Sequence, residues 1–153
     1  MKVVFVLAAF CLVLVSANLL VKEPDKITCT TDFSCDTDKF DVRNLALSFY
    51  PDPPERGKNV TVTLTGIVKK IITSGEVQVV LKFNVFTIFK ETYDACELAL
   101  KYGHTCPIVP GPMIVSETFE VPSELPGGTY KSTMDGTDQD DNSMICGTVR
   151  CHV

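Results

Sequence analysis

The sequence predicts an all-β chain folded as an antiparallel β-sandwich. Three observations carry this. Apolar and polar residues alternate along several short runs, turn-forming clusters separate those runs at spacings of about ten residues, and a single short stretch has helical periodicity.

The elements follow in chain order. Met1-Lys2 precedes an uncharged, almost wholly apolar run, Val3 to Val15, and Val15-Ser16-Ala17 then supplies the small-x-small pattern of a signal-peptidase site. The run is too short to span a bilayer, so residues 1–17 are expected to be a secretory signal peptide. Of 153 residues, removal of 17 leaves 136, residues 18–153, enough for a single domain with a core of its own. Phe40 to Phe49 is apolar and partly alternating, and it stops at Pro51-Asp52-Pro53-Pro54, which cannot stay in a ladder. Val60 to Val68 alternates cleanly, with Val60, Val62 and Leu64 opposite Thr61, Thr63 and Thr65. Thr73-Ser74-Gly75 is a turn. Glu76 to Phe89 reads as one long strand, or a strand pair with a bend, whose apolar face is Val77, Val79, Leu81, Phe83 and Val85.

Tyr93 to Tyr102 is the helical stretch. Leu98 and Tyr102 share a face, Glu97 and Lys101 form an i,i+4 pair, and Gly103 is the stop. Met113 to Val121 is the next strand, 122–128 a turn, Thr129 to Met134 a strand, 135–142 an acidic hairpin connection, and Ser143 to Cys151 the last strand. The chain has no tryptophan to pack on an inter-sheet disulfide, so the sequence signature of true immunoglobulin domains is missing.

Seven cysteines become six when Cys11 leaves with the signal, and an oxidising lumen makes three disulfides the expectation. Cys96 and Cys106 flank the helix end and close the smallest loop. Nested antiparallel pairing joins Cys35 to Cys146 and Cys29 to Cys151, with crossed pairing left open. None of these spacings is a Cys-x-x-Cys clamp, so no zinc or other metal is expected. Asn59-Val60-Thr61 is a glycosylation sequon, which places Asn59 at the surface.

Without the signal, 13 basic residues face 19 acidic ones, a net charge of −6. That balance speaks against a nucleic-acid surface and against simple polybasic docking on anionic lipid. Nothing in the pattern suggests an enzyme or a cofactor. There is no nucleophile elbow, no zinc-protease helix and no phosphate loop. His104 reads as a loop histidine. Asp138, Asp140 and Asn142 begin a calcium-loop pattern, but Ser143 stands where the glycine is required and Val149 where the bidentate glutamate belongs. Glu117 and Glu120 point to opposite faces of one strand and make no dyad.

What stands out is apolar. Phe83, Phe86, Ile88 and Phe89 gather at one end of the long strand, and Ile108, Val109, Met113, Ile114 and Val115 follow the disulfide loop. Four stretches in order, CDTDKFDVRNLALSFYPDPPERGKNVTVTLTGIV, ETYDACELALKYGHTCPIVPG, FEVPSELPGGTY and a cysteine in the final strand, resemble the ML lipid-recognition family, closest to its phosphatidylglycerol/phosphatidylinositol transfer branch. The resemblance implies an immunoglobulin-like two-sheet sandwich whose sheets part at one end around an apolar lipid cavity. It also implies the Cys96–Cys106 and Cys35–Cys146 bridges, with Cys29 and Cys151 an addition to the common pattern.

On that basis Phe83, Phe86, Ile88, Phe89, Ile108, Val115, Phe119 and Tyr130 are expected to line or border the pocket. The expected ligand is a phospholipid carried between membranes through transient membrane contact, with a sterol as the alternative cargo. A lipid-sensing co-receptor is the alternative role. The expected protein is a monomer, secreted or held in the lumen of an endosome, lysosome or vacuole.

Overall fold

Residues 26–33 and 39–153 are described by a computed structural model. The predicted signal peptide and Cys35 lie outside the described residues. The alternating runs become two antiparallel sheets. The larger is ordered β1 (Thr28–Asp32), β8 (Ser143–His152), β7 (Thr129–Asp138), β4 (Gly75–Phe83), β5 (Phe86–Asp94); the smaller is β2 (Val42–Tyr50), β3 (Asn59–Val68), β6 (Gly111–Glu120). Among the described residues one helix, α1 (Ala95–Lys101), joins the edge strand of the larger sheet, β5, toward that of the smaller, β6.

Two departures from the expected elements matter. β1 was not foreseen, because Thr28–Asp32 has no apolar alternation; it is recruited by pairing with β8, where Cys29 stands opposite Cys151 and the two are disulfide-bonded. The run from Glu76 to Phe89 divides at Asn84, which takes φ 52°, a conformation asparagine tolerates better than most residues. Asn84 is held there from both sides: its N–H donates to the Thr129 carbonyl (2.7 Å) and its Oδ1 accepts from the Thr129 N–H (3.0 Å). β4 and β5 are therefore a hairpin with its tip at Asn84-Val85. The Phe83 ring packs on Tyr130, centroids 4.9 Å apart, and a Cβ at Gly128 would meet that same Phe83 ring at 2.7 Å, so only glycine fits there.

The predicted Cys96–Cys106 and Cys29–Cys151 bridges are present. Cys146 is also disulfide-bonded, and Cys35, its expected partner, lies outside the described residues. Asn59 is exposed at the start of β3.

Two apolar clusters lie between the sheets. One, Ile27, Val60 and Val121 with Phe49, Leu125 and the Cys29–Cys151 bridge, closes the end where the chain terminates. The other, Val42, Val68, Ile72, Val77, Ala95, Met144 and Ile145, lies toward α1. Beside it, fully buried Asp41 is ion-paired with Lys70 at 2.8 Å. Burial pushes the Asp41 carboxyl up, against the pull of Lys70. Burial also raises Asp138, yet the N–H donors of Asn142 and Asp140, together with Asp41, outweigh it and hold that carboxyl below the ordinary range. Those donors, at 2.8 and 2.9 Å, tighten the β7–β8 connection, so β7 runs to Asp138 rather than stopping at the predicted Met134. Asp138→Ala would orphan both amides and is expected to cost about 1–3 kcal/mol, read as a lower urea midpoint with an unchanged m-value.

Candidate functional site

An inter-sheet cavity of about 630 Å³ opens beside α1. Its larger-sheet wall is Val77 and Val79 on β4, Met134 on β7, and Met144 and Ile145 on β8. Its smaller-sheet wall is Val42 on β2, Leu64 on β3, and Met113 and Val115 on β6. Leu98 of α1 and Ile108 from the following loop complete it. These positions obey the period of two: Val77 and Val79 share the inner face of β4, and Leu64 stands opposite Val115 across the β3–β6 ladder.

The cavity persists because its border is held from several directions. Asp94 caps α1, its Oδ1 accepting from the N–H groups of Cys96 (2.8 Å) and Glu97 (2.9 Å). The Cys96–Cys106 bridge ties the helix to its exit loop. Ile108 exchanges two backbone hydrogen bonds with Ile72, at 2.8 and 3.0 Å, and Ile72 is 1% exposed at the centre of the core.

Polar groups cluster at the mouth. Glu117, on the inner face of β6, accepts a hydrogen bond from the Tyr102 hydroxyl (2.6 Å) and pairs with Lys101 Nζ (3.2 Å). This clasp crosses from α1 to the smaller sheet. His104 Nε2 lies 3.0 Å from the Ile114 carbonyl on β6. The Tyr102 hydrogen bond, followed by Lys101, draws the Glu117 carboxyl below its ordinary value; the Glu117 hydrogen bond raises the Lys101 ammonium; burial raises the Tyr102 phenol.

Of the eight residues expected at the pocket, Ile108 and Val115 line this cavity. Phe83, Phe86, Phe89 and Tyr130 lie on the inner face of the larger sheet by register with Val79 and Met134, but nearer the hairpin tip. Phe119 lies on the inner face of β6, opposite Val60. Ile88 falls where the β4–β5 register shifts. Phe86, Phe89 and Phe119 are 69%, 38% and 50% exposed although they face the inter-sheet space. The opposing sheet therefore leaves them uncovered, and they mark where the two edges part. Sequence reasoning missed Leu64, Val77, Val79, Met134 and Met144 as wall residues. Their alternation was visible, but which inner faces oppose one another is set by sheet order.

The ML domain family matches residues 28–153. The chain belongs to the ML-domain family. A phosphatidylglycerol/phosphatidylinositol transfer protein of Cryptococcus neoformans is 36% identical over 104 residues, covering 66% of this chain and 58% of its own length. A putative phosphatidylglycerol/phosphatidylinositol transfer protein 2 of Dictyostelium discoideum is 33% identical over 101 residues, 66% of this chain and 70% of that one. This ML chain thus spans somewhat more than half the length of the first of these relatives. Chicken MD-1, solved in complex with lipid IVa, superimposes with a TM-score of 0.52 at 13% identity, covering 82% of this chain and 88% of its own. That likeness shows a shared fold.

The depressed Glu117 value fixes the sign of the clasp's pH response. Its contribution is complete above the unfolded glutamate range and is lost only as pH falls through the lower folded value. The Glu117 carboxyl carbon should accordingly titrate below that of a free glutamate by NMR. Tyr102→Phe should move the midpoint upward.

Proposed function

We propose that this chain is a lipid carrier of the secretory route, taking up a phospholipid acyl chain in the inter-sheet cavity and moving it between membranes. The observation that carries the reading is an apolar space between two sheets that opens to solvent beside a charged mouth. A volume of about 630 Å³ lies within the usual range of ligand pockets, roughly 300–1,000 Å³. At roughly 30 Å³ per small heavy-atom group, estimated from liquid water, it holds on the order of 20 non-hydrogen atoms. The relatives named for phosphatidylglycerol and phosphatidylinositol transfer support a phospholipid over a sterol as cargo.

The physics requires no chemical step. Each methylene moved out of water is worth about 0.8 kcal/mol, so a chain of about a dozen carbons is held in its bilayer by on the order of 10 kcal/mol. A dry apolar cavity offsets most of that cost in transit without trapping the lipid. Lys101 supplies the head-group contact: an anionic phosphate at the mouth competes with Glu117 for the ammonium. The mouth's Lys101, Tyr102 and Glu117 are committed to one another, which supports a binding role and not catalysis. Disulfides suit an extracellular or lumenal setting. Among the described residues no helix is long and apolar enough to cross a membrane.

Transfer of labelled phospholipid between vesicles, with native mass spectrometry of retained lipid, tests the reading. Met134→Trp, which fills the cavity from β7, should displace about three methylenes and weaken retention roughly 50-fold, with the far-UV spectrum unchanged. Lys101→Met should weaken phosphatidylglycerol and leave any sterol binding untouched. Equal retention by the parent and the Met134→Trp protein refutes the carrier reading.

A further inference from the structure

We propose that the β4–β5 hairpin tip and the adjoining outer face of the larger sheet form a docking surface for an anionic bilayer. This rests on the carrier reading and assigns it the place where the protein meets its membranes.

The tip is apolar, and its own anchors hold it out in solvent. Val85 is 80% exposed, Phe86 69% and Ile88 54%. The double Asn84–Thr129 hydrogen bond and the Phe83–Tyr130 ring contact fix the base of the hairpin. No rotation of the tip is needed to present these side chains, and a preorganised surface loses little entropy on binding.

The charge lies one row behind the tip. Register places Lys82 of β4 opposite Lys131 of β7, and Lys131 opposite Arg150 of β8. Because Val79 and Met134 face the cavity, alternation turns all three cations to the outer face, and Lys90 on β5 joins them by its pairing with Val80. Strands about 4.8 Å apart put the row of three within roughly 10 Å. Like charges directly opposite one another destabilise a ladder.

Among the described residues few carboxylates face this row. By register the nearest is Asp32 of β1, opposite Thr148 and so diagonal to Arg150. Asp135 is four residues along β7 from Lys131, about 13 Å at strand rise. Glu120 pairs with Asn59 in the smaller sheet. A cost borne by the fold with so little counter-charge among the described residues fits an external polyanion. An apolar wedge beside that charge selects a lipid surface, into which side chains can insert. The net charge hid this, because the cations at 82, 90, 131 and 150 form no tract in sequence and meet only through strand pairing.

Geometry joins the surface to the cavity. The inner-face residues that continue from the cavity wall toward the tip are Leu81 and Phe83 on β4 and Phe89 and Phe86 on β5. A membrane at the tip is therefore met by the exposed inner-face aromatics that lead to the cavity.

The test is sedimentation of the full secreted protein with phosphatidylcholine vesicles, with and without phosphatidylserine, a lipid chosen because it is not the proposed cargo. Binding should require phosphatidylserine and weaken with added salt. At about fivefold per cation removed, Lys82→Gln with Lys131→Gln should weaken it roughly 25-fold. Val85→Asp should also weaken it, and in all of these variants lipid retention by native mass spectrometry should stay at the parent level. Met134→Trp should dock normally while losing retention, so loss of docking and loss of carriage are read separately. Parent-level vesicle binding by the double glutamine variant overturns the proposal. So does a self-associated parent, seen by analytical ultracentrifugation, that Val85→Asp converts to monomer without changing vesicle binding.

Discussion

The backbone exchange between Ile72 and Ile108 is the constraint on which the open sandwich depends. Apolar sheet faces brought together exclude water at about 25 cal/mol per Å², so two such faces left to themselves close. Here the loop leaving α1 is bonded, carbonyl and amide both, to a residue 1% exposed at the centre of the core. The Cys96–Cys106 bridge then fixes α1 to that loop, and the capped helix start fixes it to β5. The path between the two sheets is thereby held at a set length. Side chains that complete closure would otherwise pack, such as Val79 against Val115, instead wall a cavity.

The opposite arrangement governs the far end. There Ile27, Val60 and Val121 are buried against the Cys29–Cys151 bridge, and the sheets meet. The Cys29–Cys151 cross-link lies at the closed end and the Cys96–Cys106 cross-link at the open one, and they join different partners. Cys29 and Cys151 pair within the larger sheet, whereas Cys96 and Cys106 pair within the connection between sheets. The clasp from Lys101 and Tyr102 to Glu117 is the weaker element of the border. It is solvent-exposed, and exposed pairs contribute about 0–1 kcal/mol. A border with rigid covalent parts and one weak polar closure can open without unfolding.

The fold was legible wherever burial imposed a period on the sequence. β3, buried on one face, showed it in Val60, Val62 and Leu64; the helix showed it in Leu98 and Tyr102. β1 showed nothing, because Thr28–Asp32 is placed by β8 and a disulfide and not by a core face. The β4–β5 turn was hidden for a different reason. Asn84-Val85 lacks the glycine that announces a tight hairpin, and its geometry is imposed by Thr129, 45 residues away. The candidate site followed the same rule. Ile108 and Val115 were found from local apolar clustering, whereas Met134 and Leu64 required knowledge of which strands face one another. The Phe83–Phe89 cluster was visible as a cluster, but its division between a ring stack, an exposed tip and an inner edge was not.

Charge gives the sharpest case of this limit. A net charge of −5 describes the far field, which at physiological salt decays over about 8 Å. A membrane in contact responds to what lies within that distance of it. Strand pairing determines that composition, and it gathers Lys82, Lys131 and Arg150 while placing the acidic β7–β8 connection at the other end of the same strands. An acidic protein so divided is repelled by an anionic bilayer in most orientations and attracted in one. Orientation selected this way turns the hairpin tip, with its exposed Val85 and Phe86, toward the lipid.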